Sequence, residues 1–127
     1  MRMYCRLVFK YVNAYMYFMR EIVLFYSALA DQTRLRLLNL MKNGEICVCH
    51  LQNVLQTNQP KVSRHLAYLR KTGLVETRRD GKWTHYRLKR FGNHFGKILS
   101  RTFESLEQKP QIKKDARRLK QNFCQDK

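Results

Sequence analysis

The stretch from Asn58 to Tyr86, NQPKVSRHLAYLRKTGLVETRRDGKWTHY, constrains the fold more than any other part of the chain. Its first half has helical periodicity. Val62, Leu66 and Leu69 recur at i, i+4 and i+7 and make one apolar stripe. Lys61, Arg64, His65 and Tyr68 fall on the opposite side, with Ser63 nearby. Asn58 (or Thr57) is placed to cap this helix, and Pro60 sits in the first turn, where a missing N–H does no harm. Gly73 ends the helix as a left-handed residue would. Two strands follow, Leu74 to Arg78 and Trp83 to Leu88, joined by Arg79-Asp80-Gly81-Lys82. Asp-Gly between alternating strands is a strong hairpin signal. A helix with a basic outer face, followed by a hairpin with a basic tip, predicts a winged helix-turn-helix. The fold class is α+β, mainly helical, with a two-stranded β-wing.

Upstream, Ile22, Phe25, Tyr26 and Leu29 are spaced for a first helix. Asp31 is a plausible cap for a second, TRLRLLNLMKN, which buries Leu35, Leu38 and Met41 with Leu37 alongside and stops at Gly44. A third starts near Cys47, with Val48, Leu51 and Leu55 on one stripe, and ends at Gln56-Thr57-Asn58. Downstream, Phe91 to Leu106 carries Phe95, Leu99, Thr102 and Leu106 on one face, with Ile98 and Phe103 beside it. Exposed apolar residues on such a terminal helix suggest a dimer seam. The expected organisation is a single winged-helix and sensor domain over 19–108. An aromatic-rich extension precedes it at 1–18, and a basic tail, helical only in part, follows at 109–127. The extension reads either as an extra helix packing on the domain or a dimer mate, or as a translated leader ahead of a start at Met16 or Met19. It lacks a clear small-residue cleavage site.

Charge narrows the partner. The net charge is +17, and residues 19–108 alone hold 16 basic against 7 acidic side chains. That excess favours a polyanion, nucleic acid ahead of an anionic membrane surface. Lys61, Ser63, Arg64 and His65 are positioned to enter a major groove, and Gln59 to reach an adenine or a phosphate. Arg78, Arg79 and Lys82 at the hairpin can sit on phosphates or in a minor groove. The plain alternative is a solvated basic face. No Ser/His/Asp, phosphate-loop or metal-catalytic pattern appears, so no enzyme is expected. No run of about 18 apolar residues exists, so no spanning helix is expected.

Four cysteines, Cys5, Cys47, Cys49 and Cys124, are too few and too scattered for a secreted disulfide framework. The expected compartment is the reducing cytoplasm, with thiols free or metal-bound. Cys47 and Cys49 form a C-x-C just before the recognition stretch. Two small buried residues at a helix start is the plain reading. Residues i and i+2 do not face each other on a regular helix. One ion held by both sulfurs is therefore expected to unwind or distort the first turn of the third helix and so strain the helix packed on it. A thiol-oxidation switch is a further reading, although an i, i+2 disulfide is hard to form without strain.

The motifs FYSALADQTRLRLLNLM, EICVCHL, QPKVSRHLAYLRKTGLV and RRDGKWTHYRL, in this order and spacing, resemble the arsenic-responsive repressor (ArsR/SmtB) family of bacterial metalloregulators. The resemblance covers roughly residues 19 to 91. It implies a homodimeric winged helix, dimerising through terminal helices, that binds double-stranded operator DNA and releases it when a thiophilic ion binds Cys47 and Cys49. No permanent cofactor is implied; the inducer is arsenite, antimonite or another soft ion. Arsenite-sensing relatives place a third cysteine three residues after the second, where this chain has Gln52. The resemblance leaves Cys5, as in the family's cadmium and lead sensors, Cys124 or a small exogenous thiol to complete the site. The family's other metal site, built from Asp and His on the terminal helix, is not matched by Asn93, His94, Glu104 and Glu107.

Overall fold

The computed structural model describes residues 19–121. Helix α1 occupies residues 19–29, and α2 spans Gln32–Met41. The Asp31 carboxylate accepts the Arg34 amide at 3.0 Å, so the expected cap is formed. A two-residue strand β1, Ile46–Cys47, leads into α3, Val48–Leu55. Gln56 takes a left-handed conformation (φ 53°) and turns the chain towards α4, Gln59–Lys71. Asn58 caps α4 by accepting the Lys61 amide at 2.9 Å. Gly73, at φ +82°, closes it, with the Leu74 amide returning to the Leu69 carbonyl at 3.1 Å.

Strands β2, Val75–Asp80, and β3, Trp83–Leu88, form the wing. Arg79 and Asp80, expected in the connection, belong to β2, and Asp80 pairs with Trp83 across a two-residue turn. Gly81 sits at φ +60° while Lys82 keeps a negative φ, the arrangement of a II′ turn with glycine first. The sheet has three strands in the order β1-β3-β2, all antiparallel. The wing is thus the expected hairpin with β1 added at its base, a strand too short to show as an alternating pattern. Helix α5, His94–Leu106, and α6, Pro110–Gln121, complete the described chain.

The core is built from Leu37, Leu38, Met41, Leu51, Val54, Val62, Leu66, Leu69 and Leu74. Helix α2 is buried continuously from Leu37 to Met41, because α4 and β3 pack on it and α6 covers a further side. Leu35, expected in the core, is only half-buried. Phe25 of α1 stacks against Phe95 of α5 at 4.5 Å, joining the first helix to the fifth. Within the stretch expected as a partly helical tail, Pro110–Gln121 form α6, which docks on α2 and α3. Ile112 is buried there, and the fully buried Asp115 carboxylate accepts from Arg36 Nε at 2.7 Å, Arg36 Nη2 at 2.8 Å and Gln111 Nε2 at 2.9 Å.

Candidate nucleic-acid interface and cysteine pair

Gln59, Lys61, Ser63 and Arg64 are all exposed on the first two turns of α4. The inner stripe of Val62, Leu66 and Leu69 is fully buried, which fixes the rotation that points them outward. His65 behaves differently. Its ring lies 3.8 Å from the Asp31 carboxylate and 3.5 Å from Arg34 Nη1, with 18% of the side chain exposed. It is turned to the start of α2 rather than to solvent, because it sits on the flank between the buried and exposed stripes. Tyr68 shares that flank, with the Arg34 guanidinium 4.6 Å above its ring.

Arg34 is a positioning residue that sequence reasoning missed. Its guanidinium also donates to the carbonyls of Ala28 and Ser27, at 3.0 and 2.8 Å. It thereby ties the end of α1, the start of α2 and the middle of α4 together. Nothing in TRLRLL separates Arg34 from Arg36, which faces α6 instead. Burial pushes the neighbouring Asp31 carboxyl upward. The Arg34 amide and the charges of His65 and Arg34 outweigh it, so the carboxyl lies below its ordinary value.

Arg78, Arg79 and Lys82 are exposed on the wing. The Lys82 ammonium lies 5.3 Å from the Trp83 ring. The Arg78 guanidinium is held by Glu45, with Nε 3.1 Å from both carboxylate oxygens. The Arg78 side chain holds the Glu45 carboxyl below its usual range. Glu45 is the residue before β1, and it also lies 3.7 Å from His85 Nδ1.

Cys47 and Cys49 meet without any distortion of α3. The helix begins at Val48, and Cys47 is its N-cap residue in an extended conformation (φ −66°, ψ 143°). Cys49 lies in the first turn, and the two sulfurs are 3.1 Å apart. The expected unwinding is therefore unnecessary, since the break in helical geometry falls between the two cysteines. Two sulfurs bound to one ion at about 2.3 Å and near 90–110° would lie ~3.3–3.8 Å apart, so the pair is close to a chelating geometry. Burial and the hydrogen bond with Cys49 push the Cys47 thiol up. An ion bound by that sulfur would have to displace its proton. Among the described residues no group of three or more His, Cys, Asp or Glu is placed to hold a metal. Cys5 and Cys124 lie outside the described residues.

The register links the two sites. Cys47 pairs with His85 on β3, and His85 pairs with Arg78 on β2. One cross-strand row thus runs from the Cys47 thiol to a cation of the wing. Glu45 brackets the same row from the edge.

A family model described as "Bacterial regulatory protein, arsR family" matches residues 31–77, from the α2 cap into β2. The arsenical resistance operon repressor of Escherichia coli is 53% identical over 74 residues, covering 58% of this chain and 62% of that repressor. The match thus spans less than two thirds of that relative. An HTH-type transcriptional regulator of Methanocaldococcus jannaschii is 42% identical over 62 residues, 48% of this chain and 70% of that protein. The chain belongs to the ArsR family. A solved ArsR-type neighbour is the homodimeric winged helix-turn-helix DNA-binding domain from Mycobacterium bovis. It is 28% identical, with a TM-score of 0.58, over 72% of this chain and 80% of that one. ArsR membership accounts for α2 to β2; α6 lies beyond the matched residues. No helix among the described residues is long and apolar enough to cross a membrane.

Proposed function

We propose that this protein is a metalloid-responsive transcriptional repressor of the cytoplasm. As a homodimer it binds double-stranded operator DNA, and it lets go when arsenite or antimonite binds Cys47 and Cys49. Helix α4 enters the major groove, with Arg64 and Lys61 on guanine edges and Gln59 and Ser63 on an adenine or on phosphates. Arg79, Lys82 and Arg78 lie along the backbone. Met19, Val23 and Tyr26 leave an exposed apolar stripe on α1, beside α5, which suits a dimer seam of terminal helices. The name of the Escherichia coli relative supports a metalloid as inducer.

The observation that carries the sensor reading is the 3.1 Å sulfur pair, with Cys47 on strand β1 of the wing sheet and Cys49 in the first turn of α3. Soft sulfur ligands suit arsenic(III). Arsenous acid, As(OH)3, loses one hydroxide as water for each thiol proton it meets. Two As–S bonds form, two As–O bonds break, and two waters leave. The new S–As–S angle sets the sulfur spacing. Cys47 then shifts relative to Cys49, and β1 carries the shift to His85 and Arg78. Release thus acts through the wing and the start of α3 together. The test is an operator gel shift titrated with arsenite, using Cys47→Ser and Cys49→Ser. Serine keeps the shape but is a poor soft-ion ligand, so both variants should bind operator and fail to release it. Release by both as in the parent would refute the sensor reading. Cys5→Ser and Cys124→Ser in the same assay assign a third sulfur.

A further inference from the structure

The outer face of α6 carries a row of basic residues. Lys113, Arg117 and Lys120 recur at i, i+4 and i+7 and are exposed, with Lys114 exposed beside them. The helix has a single acid, Asp115, and it is turned inward and neutralised by Arg36. Nothing acidic on α6 therefore offsets the outer row, and like charges at this spacing repel. The inner face fixes where the row lies. Arg118 donates to the Val54 carbonyl at 3.2 Å, in the last turn of α3. From there the chain passes through the left-handed Gln56 to Gln59, where α4 begins. The C-terminal half of α6 is thus anchored beside the turn that joins the two helices of the DNA-reading unit. In helix-turn-helix docking the second helix enters the groove while the first crosses the phosphate backbone. A basic helix mounted on that first helix is positioned to follow the same backbone outward.

We propose that the α6 row is a second nucleic-acid surface, which holds the phosphates of the duplex flanking the operator half-site. The proposal rests on α4 being the reading helix. Such contacts position the protein and carry no sequence information. The row should therefore raise affinity for operator and for unrelated duplex alike, and extend the footprint beyond the half-sites.

The test compares the full chain with Lys113→Gln/Arg117→Gln/Lys120→Gln, all on exposed positions, after circular dichroism confirms equal helicity. Operator affinity is measured against salt on a long duplex and on one trimmed to the half-sites. The slope of log affinity against log salt should fall by up to about 2.7 per protomer on the long duplex, at ~0.9 for each phosphate released. On the trimmed duplex the two proteins should converge, and the preference for operator over random duplex should stay unchanged. Equal slopes on the long duplex would overturn the proposal. So would a loss seen only with single-stranded RNA or with phosphatidylserine vesicles. Arg64→Ala separates the two readings, with a loss of operator affinity of about ten-fold or more if α4 reads bases. That loss beside equal slopes for the α6 variant would sink the α6 surface and leave α4 standing. No operator preference in the parent protein would sink both.

Discussion

In the proposed function, Cys47 is the residue whose chemistry separates one inducer class from another. Its thiol lies above the ordinary value because burial and Cys49 favour the protonated form. Between about pH 6 and pH 8 the Cys47 thiol enters the reaction carrying its proton. A divalent ion such as cadmium, lead or zinc must expel that proton, so its affinity should rise by up to about tenfold per pH unit from Cys47 alone. Arsenous acid releases a hydroxide that takes up each thiol proton and leaves as water, so it should bind with little pH dependence over the same range. Competitive titration at two pH values distinguishes them, and a steep rise with arsenite would contradict the proposed exchange. Asp115 supports a separate expectation about stability. Its side chain is 1% exposed and paired with Arg36. Asp115→Leu alone strands the Arg36 cation and should cost about 3–5 kcal/mol in chemical denaturation. Adding Arg36→Met should recover much of that, because an apolar pair of similar volume replaces two desolvated charges. A double variant no more stable than the single one would show that the pair is not what anchors α6.

At the scale of elements, β1 is short but consequential, because it joins the cysteine pair to the wing. Glu45→Gln should leave arsenite affinity near that of the parent while weakening the arsenite effect on operator release, since Arg78 loses its tie to the β1 edge. Anisotropy measured with arsenite at saturation checks this; full release by the variant would remove Glu45 from the coupling. Helices α2 to α4 and the hairpin were legible in the sequence because their caps and stripes are local: Asp31, Asn58, Gly73 and Asp80-Gly81 each act within a turn. Strand β1 was not legible, since two residues cannot display a period, and its partner lies some forty positions away at Tyr86 and His85. The thiol geometry is illegible for the same reason, since the sequence shows a helix start near Cys47 while sheet pairing holds that residue extended. Gln59, Lys61, Ser63 and Arg64 emerged as expected, outward on α4. His65 did not, because its position on the stripe's edge leaves the choice to Asp31 and Arg34, which only tertiary packing brings near. Helix α6 is only partly legible because its composition is strongly polar, and its buried face is only Ile112, Asp115 and part of Arg118 and Leu119.

For the whole molecule, charge and the proposed two-fold symmetry set the expected behaviour. A basic dimer should recognise a palindrome with half-sites about one helical turn (~34 Å) apart. Switching such a dimer from 99:1 competent to 1:99 requires the inducer to favour the released form by about 5.5 kcal/mol. One thiolate fewer removes much of that preference, so single cysteine variants should be decisive. The most direct measurement is operator binding by fluorescence anisotropy, at fixed salt, titrated with arsenite for the parent, Cys47→Ser and Cys49→Ser. The expected result is equal operator affinity without arsenite for all three proteins, full release of the parent, and no release of either variant at the concentration that frees the parent. Release of both variants at the parent's midpoint would contradict the thiol pair as the sensor and leave only a DNA-binding protein of the ArsR family.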